Sequence, residues 1–491
     1  MHLFSNFSEK LPANLSKKLA ALSAKLDLAF SDDGPRSQAA RAALLTFAVR
    51  VFNAALAYIS QIILARLMGQ HEYGVFAILW VWVMVLATFA ALGYPSALLR
   101  FVPELYKTGR YKELRMVLVR GSLFNVGFAS LLGATGIAIV LVMPDLLEQA
   151  FVLPLMLAAI CLPMITLMIN QGSIAQAFDW PDLVNIPAYI ARPSLVLGLF
   201  CVFVLVGIEA NAVTAMLASL VGIWLVIVGQ FLILRSRVRA RLATGARDND
   251  SSIDDGGHLS PYLRAALPML AVEGIFYLII NTDVMVAGLF VTPHDVAVYY
   301  AAAKTLALVH FVYFAIRIAT AHKIAEHHAL GNDAALRSTL RDAIHWTFWP
   351  SLGLALALWV FGGVVLGLFG EGFAEEGKEF LAILLGGVVI RATIGPAEAL
   401  LTMADEQKLA AWIYACVFVT NLALNFALIA LFGLIGAAIA TAVSMTVETL
   451  LLSLAIYRKL GVVSFIGAVG RLKAPTSDRS EPDIPAAGPA E

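Results

Sequence analysis

The chain has 491 residues, 60% of them hydrophobic and 14% charged, and its 34 basic and 34 acidic side chains leave no net charge. Soluble domains carry about 25% charged residues, so depletion over the whole length places this chain among membrane proteins. The balanced charge argues against a nucleic-acid partner. Cys161, Cys201 and Cys416 lie far apart within apolar runs; their spacing fits no metal site or disulfide framework, and they read as small buried hydrophobes.

No uninterrupted apolar core of signal-peptide length precedes Arg41, so no signal peptide is expected. Residues 1–40 read as a basic cytoplasmic segment. Leu15, Leu19, Leu22 and Leu26 share one helical face while Lys17, Lys18 and Lys25 lie elsewhere, a pattern suited to a helix on an anionic membrane surface. Twelve stretches then approach the roughly 20 apolar residues that a crossing needs: near 42–65, 74–99, 120–143, 151–175, 183–207, 211–234, 264–290, 297–319, 344–369, 380–403, 409–432 and 434–457.

With the N-terminus inside, the basic residues sort to one face. Clusters at 100–120, 235–264 and 458–479 fall inside with the N-terminal lysines, whereas the outer loops hold only Arg66 and Lys378. Acids such as Asp145, Glu148, Glu371, Glu375 and Glu376 collect outside. One miscounted helix would scramble this separation, so the positive-inside rule supports an even count with both ends cytoplasmic.

The longest polar interruption, 235–261, divides six spans from six. The predicted organisation is therefore an all-α polytopic protein: lobes at 41–234 and 262–460, a cytoplasmic linker at 235–261, and a Pro- and charge-rich tail at 461–491 that is expected to be disordered. The lobes echo one another. "ILARLMGQHEYGVFA" (63–77) and "MVAGLFVTPHDVAVYY" (285–300) occupy equivalent turns, with Ala65 and Leu67 over Ala287 and Leu289 and "EYGVFA" over "DVAVYY". Six spans per copy make this a parallel repeat with a site expected between the halves. Intraspan prolines (Pro95, Pro154, Pro163, Pro187, Pro193, Pro268, Pro350 and Pro396) permit kinks.

"LARLMGQHEYGVFAI", "ALGYPSALLRFVPEL", "NTDVMVAGLFVTPHDVAVYYAAAKTLAL", "FGEGFAEEGKEFLAILLGGVV" and "NLALNFALIALFGLIGAAIATAVS" follow one another through the chain. In that order they resemble the bacterial polysaccharide-transport proteins, the Wzx-type O-antigen flippases of the multidrug/oligosaccharidyl-lipid/polysaccharide exporter (MOP) superfamily. The resemblance covers roughly 41–460. It implies a V-shaped bundle of two lobes with alternating access across a bacterial inner membrane. It also implies an undecaprenyl-diphosphate-linked oligosaccharide substrate, and a polymerase or co-polymerase of the same surface-polysaccharide pathway as a partner.

Five basic residues fall within spans: Arg50, Arg192, Lys304, Arg317 and Arg391. A cation at mid-membrane normally faces the bundle interior or water. Arg50, Asn53 and Gln61 share a helical face of the first span, and neither Arg50 nor Arg192 has a mid-span acid in its own lobe. A guanidinium fork matches phosphate oxygens, so Arg50 and Arg192, with Lys304 and Arg391 and with Asn53 and Gln61 nearby, are the expected grip on a diphosphate. Internal ion pairing is the competing reading for Lys304, Arg317 and Arg391, since Glu273, Asp283, Glu398 and Glu448 share their lobe. Asp283 and Glu273 either couple transport to an ion gradient or neutralise Lys304 and Arg391. Asn421 and Asn425 are expected to bond across helices, and His327–His328 lack further metal ligands.

No Walker motif and no sizeable extramembrane domain is present. An ATP-driven pump and a membrane enzyme are thereby disfavoured, and no catalytic residue or cofactor is expected. Ion-coupled efflux of cationic drugs on the same fold is the main rival, and a non-transporting scaffold for glycan assembly is a third reading. The sign of the cavity's charge separates the first two.

Overall fold

The computed structural model describes residues 35–143, 148–245, 258–330, 332–403 and 406–468. The amphipathic N-terminal leucines, the middle of the linker and most of the tail lie outside the described residues. Contacts divide the chain into two compact units, Met1–Ala57 and Tyr58–Glu491; all packing among α2 to α15 below belongs to the second.

Helix α1 covers Pro35–Ala90. Its apolar part, Phe52–Ala90, has 39 residues, about 58 Å at 1.5 Å per residue, nearly twice the roughly 30 Å hydrocarbon thickness. Gly69 breaks it at φ 76°, ψ 172°, a conformation that glycine enters without steric penalty, and so one helical run makes two crossings. After a turn at Ala91–Gly93, α2 spans Tyr94–Lys107. The third crossing is α3 (Tyr111–Met116), a π-helical turn (Val117–Gly121) and α4 (Ser122–Val142). The fourth is α5 (Gln149–Ala177). The fifth repeats the third: α6 (Pro181–Asn185), a π turn (Ile186–Ala191) and α7 (Arg192–Leu205). The sixth is α8 (Ala212–Gly245).

In the second half, α9 (Ser260–Phe290), α10 (Pro293–Ala329) and α11 (Asp333–Gly367) are each continuous. Helix α12 (Phe373–Ala392) is followed by the short α13 (Ala397–Met403), then α14 (Gln407–Phe432) and α15 (Leu434–Leu460). Eleven helical runs among the described residues are long and apolar enough to cross a bilayer, and the first contains two crossings, which gives the expected twelve. Trp346, Trp349, Trp359 and Phe361 of α11 are exposed, as lipid contact requires. Of the three free cysteines only Cys161 is buried; Cys201 is half-buried and Cys416 exposed, because apolar helices in lipid bury only one side.

The halves meet where side chains are small. A Cβ on Gly74 would overlap the Pro293 carbonyl, one on Gly93 would overlap backbone atoms of Ala266 and Leu270, and one on Gly288 would press on Ile78. Without a hydrophobic drive between helices in lipid, such close backbone approach supplies the dispersion contacts that hold them together. The largest core cluster accordingly joins Tyr73–Leu79 of α1 to Val296–Ala302 of α10 and Leu381–Val388 of α12.

Gly74→Ala is expected to overpack this contact and cost about 1–3 kcal/mol, read as a lowered thermal midpoint in detergent. Gly229→Ala, with nothing within 4 Å of its new methyl, is expected to leave the midpoint unchanged.

Candidate substrate cavity and its charges

The second half encloses a cavity of about 290 Å³ between α9, α10, α12, α14 and α15. Lys304, His310, Arg391, Asp283, Glu398 and Glu448 all reach it, which puts two predicted cations and three predicted acids into one chamber.

Their pairing is unequal. Arg391 Nε donates to Glu448 Oε1 at 3.0 Å and its Nη2 lies 2.9 Å from the same oxygen, with Glu398 Oε2 at 3.7 Å. Arg317 Nη1 donates to Glu398 Oε1 at 2.6 Å, and the Tyr414 hydroxyl donates to Glu398 Oε2. The Arg391 guanidinium also stacks over Tyr313, 4.5 Å from the ring centre. Two arginines and two glutamates thus form a closed, neutral chain. Low dielectric makes such pairing nearly obligatory, and the internal-pairing reading holds for Arg317 and Arg391.

It does not hold for Lys304. Among the described residues no carboxylate lies within ion-pair distance of its ammonium, which sits over the Tyr300 ring at 4.6 Å. Asp283 is within electrostatic reach of Lys304, but its oxygens are otherwise engaged. Tyr299 donates to Oδ2 at 2.6 Å, the Val284 amide donates to Oδ1 at 2.8 Å, and Thr441 approaches Oδ2 at 3.5 Å. Nor does Glu273 neutralise a cation: it accepts the Ser96 hydroxyl across the halves.

Arg192 is the counterpart in the first half. It opens α7 directly after the π turn, half-buried, with its guanidinium over Trp80 at 5.9 Å and no described carboxylate in contact. The Tyr277 phenol of α9 is within electrostatic reach of both Arg192 and Lys304. Each cation lies 11 residues into its crossing, about 16 Å along at 1.5 Å per residue, from opposite ends. The two thus enter from opposite ends of antiparallel crossings in different halves, each set over an aromatic face.

Other predicted residues resolve differently. Gln61 is occupied by the Tyr73 hydroxyl, which donates to its Oε1 at 2.9 Å. Asn53 is half-buried on α1; the Arg50 side chain lies outside those described. Asn421 bonds across helices to Ser444 Oγ at 3.2 Å, while Asn425 turns back onto the Asn421 carbonyl at 2.9 Å. Sequence reasoning missed the aromatic partners Trp80, Tyr277 and Tyr300. It also missed a plug at the acidic-loop end, where Tyr58 bonds Thr305 at 2.8 Å and meets Phe369, and Tyr73 meets Tyr300 and Phe373. The tyrosines of the repeat segment 285–300 were the available signal.

Residues 39–321 match the family described as polysaccharide biosynthesis protein, and the chain belongs to that family. Residues 268–427 also match the MatE family. No curated protein matches the chain by sequence. Among solved structures the fold is similar to the lipid II flippase MurJ in an inward closed conformation, at 14% identity and a TM-score of 0.61 over 84% of this chain and 87% of that one. It is equally similar to an inward-facing multidrug resistance MATE family transporter, at 16% identity and 0.61 over 83% and 94%. A eukaryotic MATE transporter follows at 16% and 0.58 over 84% and 93%. The shared feature is the fold, that of the MOP superfamily.

Glu448→Leu is expected to leave Arg317 and Arg391 sharing the one carboxylate of Glu398 and to cost up to about 3–5 kcal/mol of stability. The double variant Arg391→Met/Glu448→Leu is expected to recover most of it, and a thermal-unfolding double-mutant cycle measures the difference.

Proposed function

We propose that this protein flips an undecaprenyl-diphosphate-linked oligosaccharide from the cytoplasmic to the periplasmic leaflet of a bacterial inner membrane, with both chain ends cytoplasmic, in the manner of the Wzx-type transporters. The observation that carries this reading is the pairing asymmetry. Among the described residues neither Arg192, over Trp80, nor Lys304, over Tyr300 and bonded to it, is in contact with a carboxylate, whereas Asp283, Glu398 and Glu448 are all engaged. Arg192 and Lys304 are the cations that the chamber's own carboxylates do not pair, and a lipid diphosphate would bring the missing partner.

On this reading the diphosphate is gripped by the Arg192 fork and draws Lys304 away from Tyr300. Arg50 of the first span is a further candidate contact for the head group. The aromatic plug keeps the periplasmic end shut while substrate enters. The fold's greater likeness to the inward-facing than to the outward-facing MATE transporter, 0.61 against 0.50 in TM-score, supports such a state. The name of MurJ as a lipid II flippase supports a lipid-linked substrate class. Asp283 and Glu273 remain the candidates for ion coupling, and a polymerase of the same pathway is the expected receiver of the product.

The MatE match at 268–427 favours a second reading, ion-coupled efflux of cationic drugs. Against it stands the engagement of Asp283, Glu398 and Glu448, the carboxylates that line the cavity among the described residues.

Binding of a short-chain polyprenyl-diphosphate oligosaccharide to the purified protein separates the two. Charge-assisted hydrogen bonds are worth about 1.5–3 kcal/mol, so Arg192→Ala and Lys304→Ala are each expected to weaken binding roughly 10- to 100-fold, with Arg192→Lys and Arg50→Ala intermediate. A lipophilic cation is expected to bind poorly. Tight binding of the cation with none of the diphosphate would transfer the protein to the drug-antiport class.

A further inference from the structure

The second crossing is not one helix. Helix α1 stops at Ala90 and α2 restarts at Tyr94, and between them Leu92 (φ 53°) and Gly93 (φ 68°) are left-handed. Glycine adopts this conformation freely; leucine does so only when its surroundings enforce it. Turn-type bonds close part of the gap: Leu92 N donates to Phe89 O and Tyr94 N to Ala91 O. Pro95 has no N–H to continue the ladder. Among the described residues the carbonyls of Ala90 and Leu92 receive no hydrogen bond.

Three buried amides lie on the neighbouring helices α4 and α5, and one of them bonds into the break. Asn125 of α4, 0% exposed, donates Nδ2 to the Ala91 carbonyl at 2.9 Å. A carbonyl can be met only by the NH₂ group, so Oδ1 is the atom left over, and it has no partner. Asn170 of α5 is also 0% exposed, with neither amide atom bonded. It faces the break by register: Thr166, one turn earlier, reaches the Ala87 carbonyl, and Ile174, one turn later, shares a buried cluster with Tyr94. Gln171, 2% exposed, has both amide atoms unbonded as well. Above the break the walls are dry, made by Ala90, Ala129 and Leu162. Native proteins rarely leave so many buried polar atoms without a partner.

We propose that the break binds a monovalent hard cation, sodium in the first instance, held by Asn125 Oδ1, Asn170 Oδ1 and the released α1 carbonyls. The donor set is all oxygen and uncharged, which suits an alkali cation over a divalent ion or a soft metal. Carbonyls at the C-terminal end of an interrupted membrane helix carry partial negative charge and are suited to this task. Glu273, bonded to Ser96 just past the break, adds a carboxylate's field at the same depth. The site lies within the first half, apart from the chamber of Asp283 and Lys304, and does not depend on which substrate is carried. Its role is to pin the two segments of the crossing to α4 and α5, so that cation release frees the hinge.

The test is thermal unfolding of the full chain in detergent with sodium, potassium or choline chloride at equal ionic strength, without substrate. Sodium is expected to raise the midpoint by several degrees over choline, growing with the logarithm of its concentration as linkage requires. In an Asp283→Asn background, which removes the second half's coupling candidate, a sodium shift is expected to remain; adding Asn170→Leu is expected to abolish it and adding Asn170→Asp to enlarge it. Identical midpoints in sodium and choline for the unaltered protein would overturn the proposal, leaving the amides bridged by water alone. So would a shift that survives Asn170→Leu and vanishes in Asp283→Asn, which would place the ion in the second half. If Asn170→Leu does not fold, Asn125→Ser is the variant whose retained sodium shift would overturn it.

Discussion

Hydrocarbon offers no partner to a charge or to an open backbone group, and each such group in this protein must find its partner inside the bundle. That constraint sorts the polar side chains into two sets. Arg317, Glu398, Arg391 and Glu448 satisfy one another in a chain, and Asp283 is held by Tyr299 and a backbone amide. Lys304 and Arg192, which rest over Tyr300 and Trp80, have no carboxylate in contact among the described residues. A cation–π contact is worth about 0.5–2 kcal/mol, far less than an ion pair in the same dielectric. The second set is therefore the one that an arriving anion can recruit.

The same rule shapes the contact between halves. Small residues let α1 and the turn after it run close along α9 and α10 at Gly74, Gly93 and Gly288, and aromatic rings then fill the acidic-loop end. The sequence repeat anticipates this packing, since Gly74 of the first copy falls over Ala297 of the second and both are fully enclosed. Two small residues at equivalent places allow each copy to approach the other.

Much of this was legible beforehand. Twelve apolar runs and the sorting of basic residues specified the fold class, because hydropathy and charge placement are the constraints a bilayer imposes most strictly. Pairing of Arg391 followed from counting acids in its half. Pairing of Lys304 did not, because a count of charges says nothing about direction, and Asp283 points to Tyr299. The interruption at Leu92 was hidden by an unbroken apolar run from 74 to 99, in which only Pro95 hinted at a kink. Asn170 and Gln171 were invisible for a related reason: two amides in a long apolar helix look like noise until their burial is known. Gln61 was expected to await substrate and is instead tied to Tyr73.

The two π turns have a consequence of their own. Val117–Gly121 and Ile186–Ala191 follow α-helical starts of six and five residues, so the third and fifth crossings are built alike. A wide turn accommodates one more residue than an α turn does, and each added residue advances the helical phase by about 100°. The face that Arg192 presents is therefore set by where that extra residue is lodged, not by the composition of α7. A crossing built this way holds a rotational reserve. Were the wide turn to migrate along the helix, the segment it passes would change its azimuth, and Arg192 would swing toward or away from Trp80 with the backbone ladder kept and no bending at all.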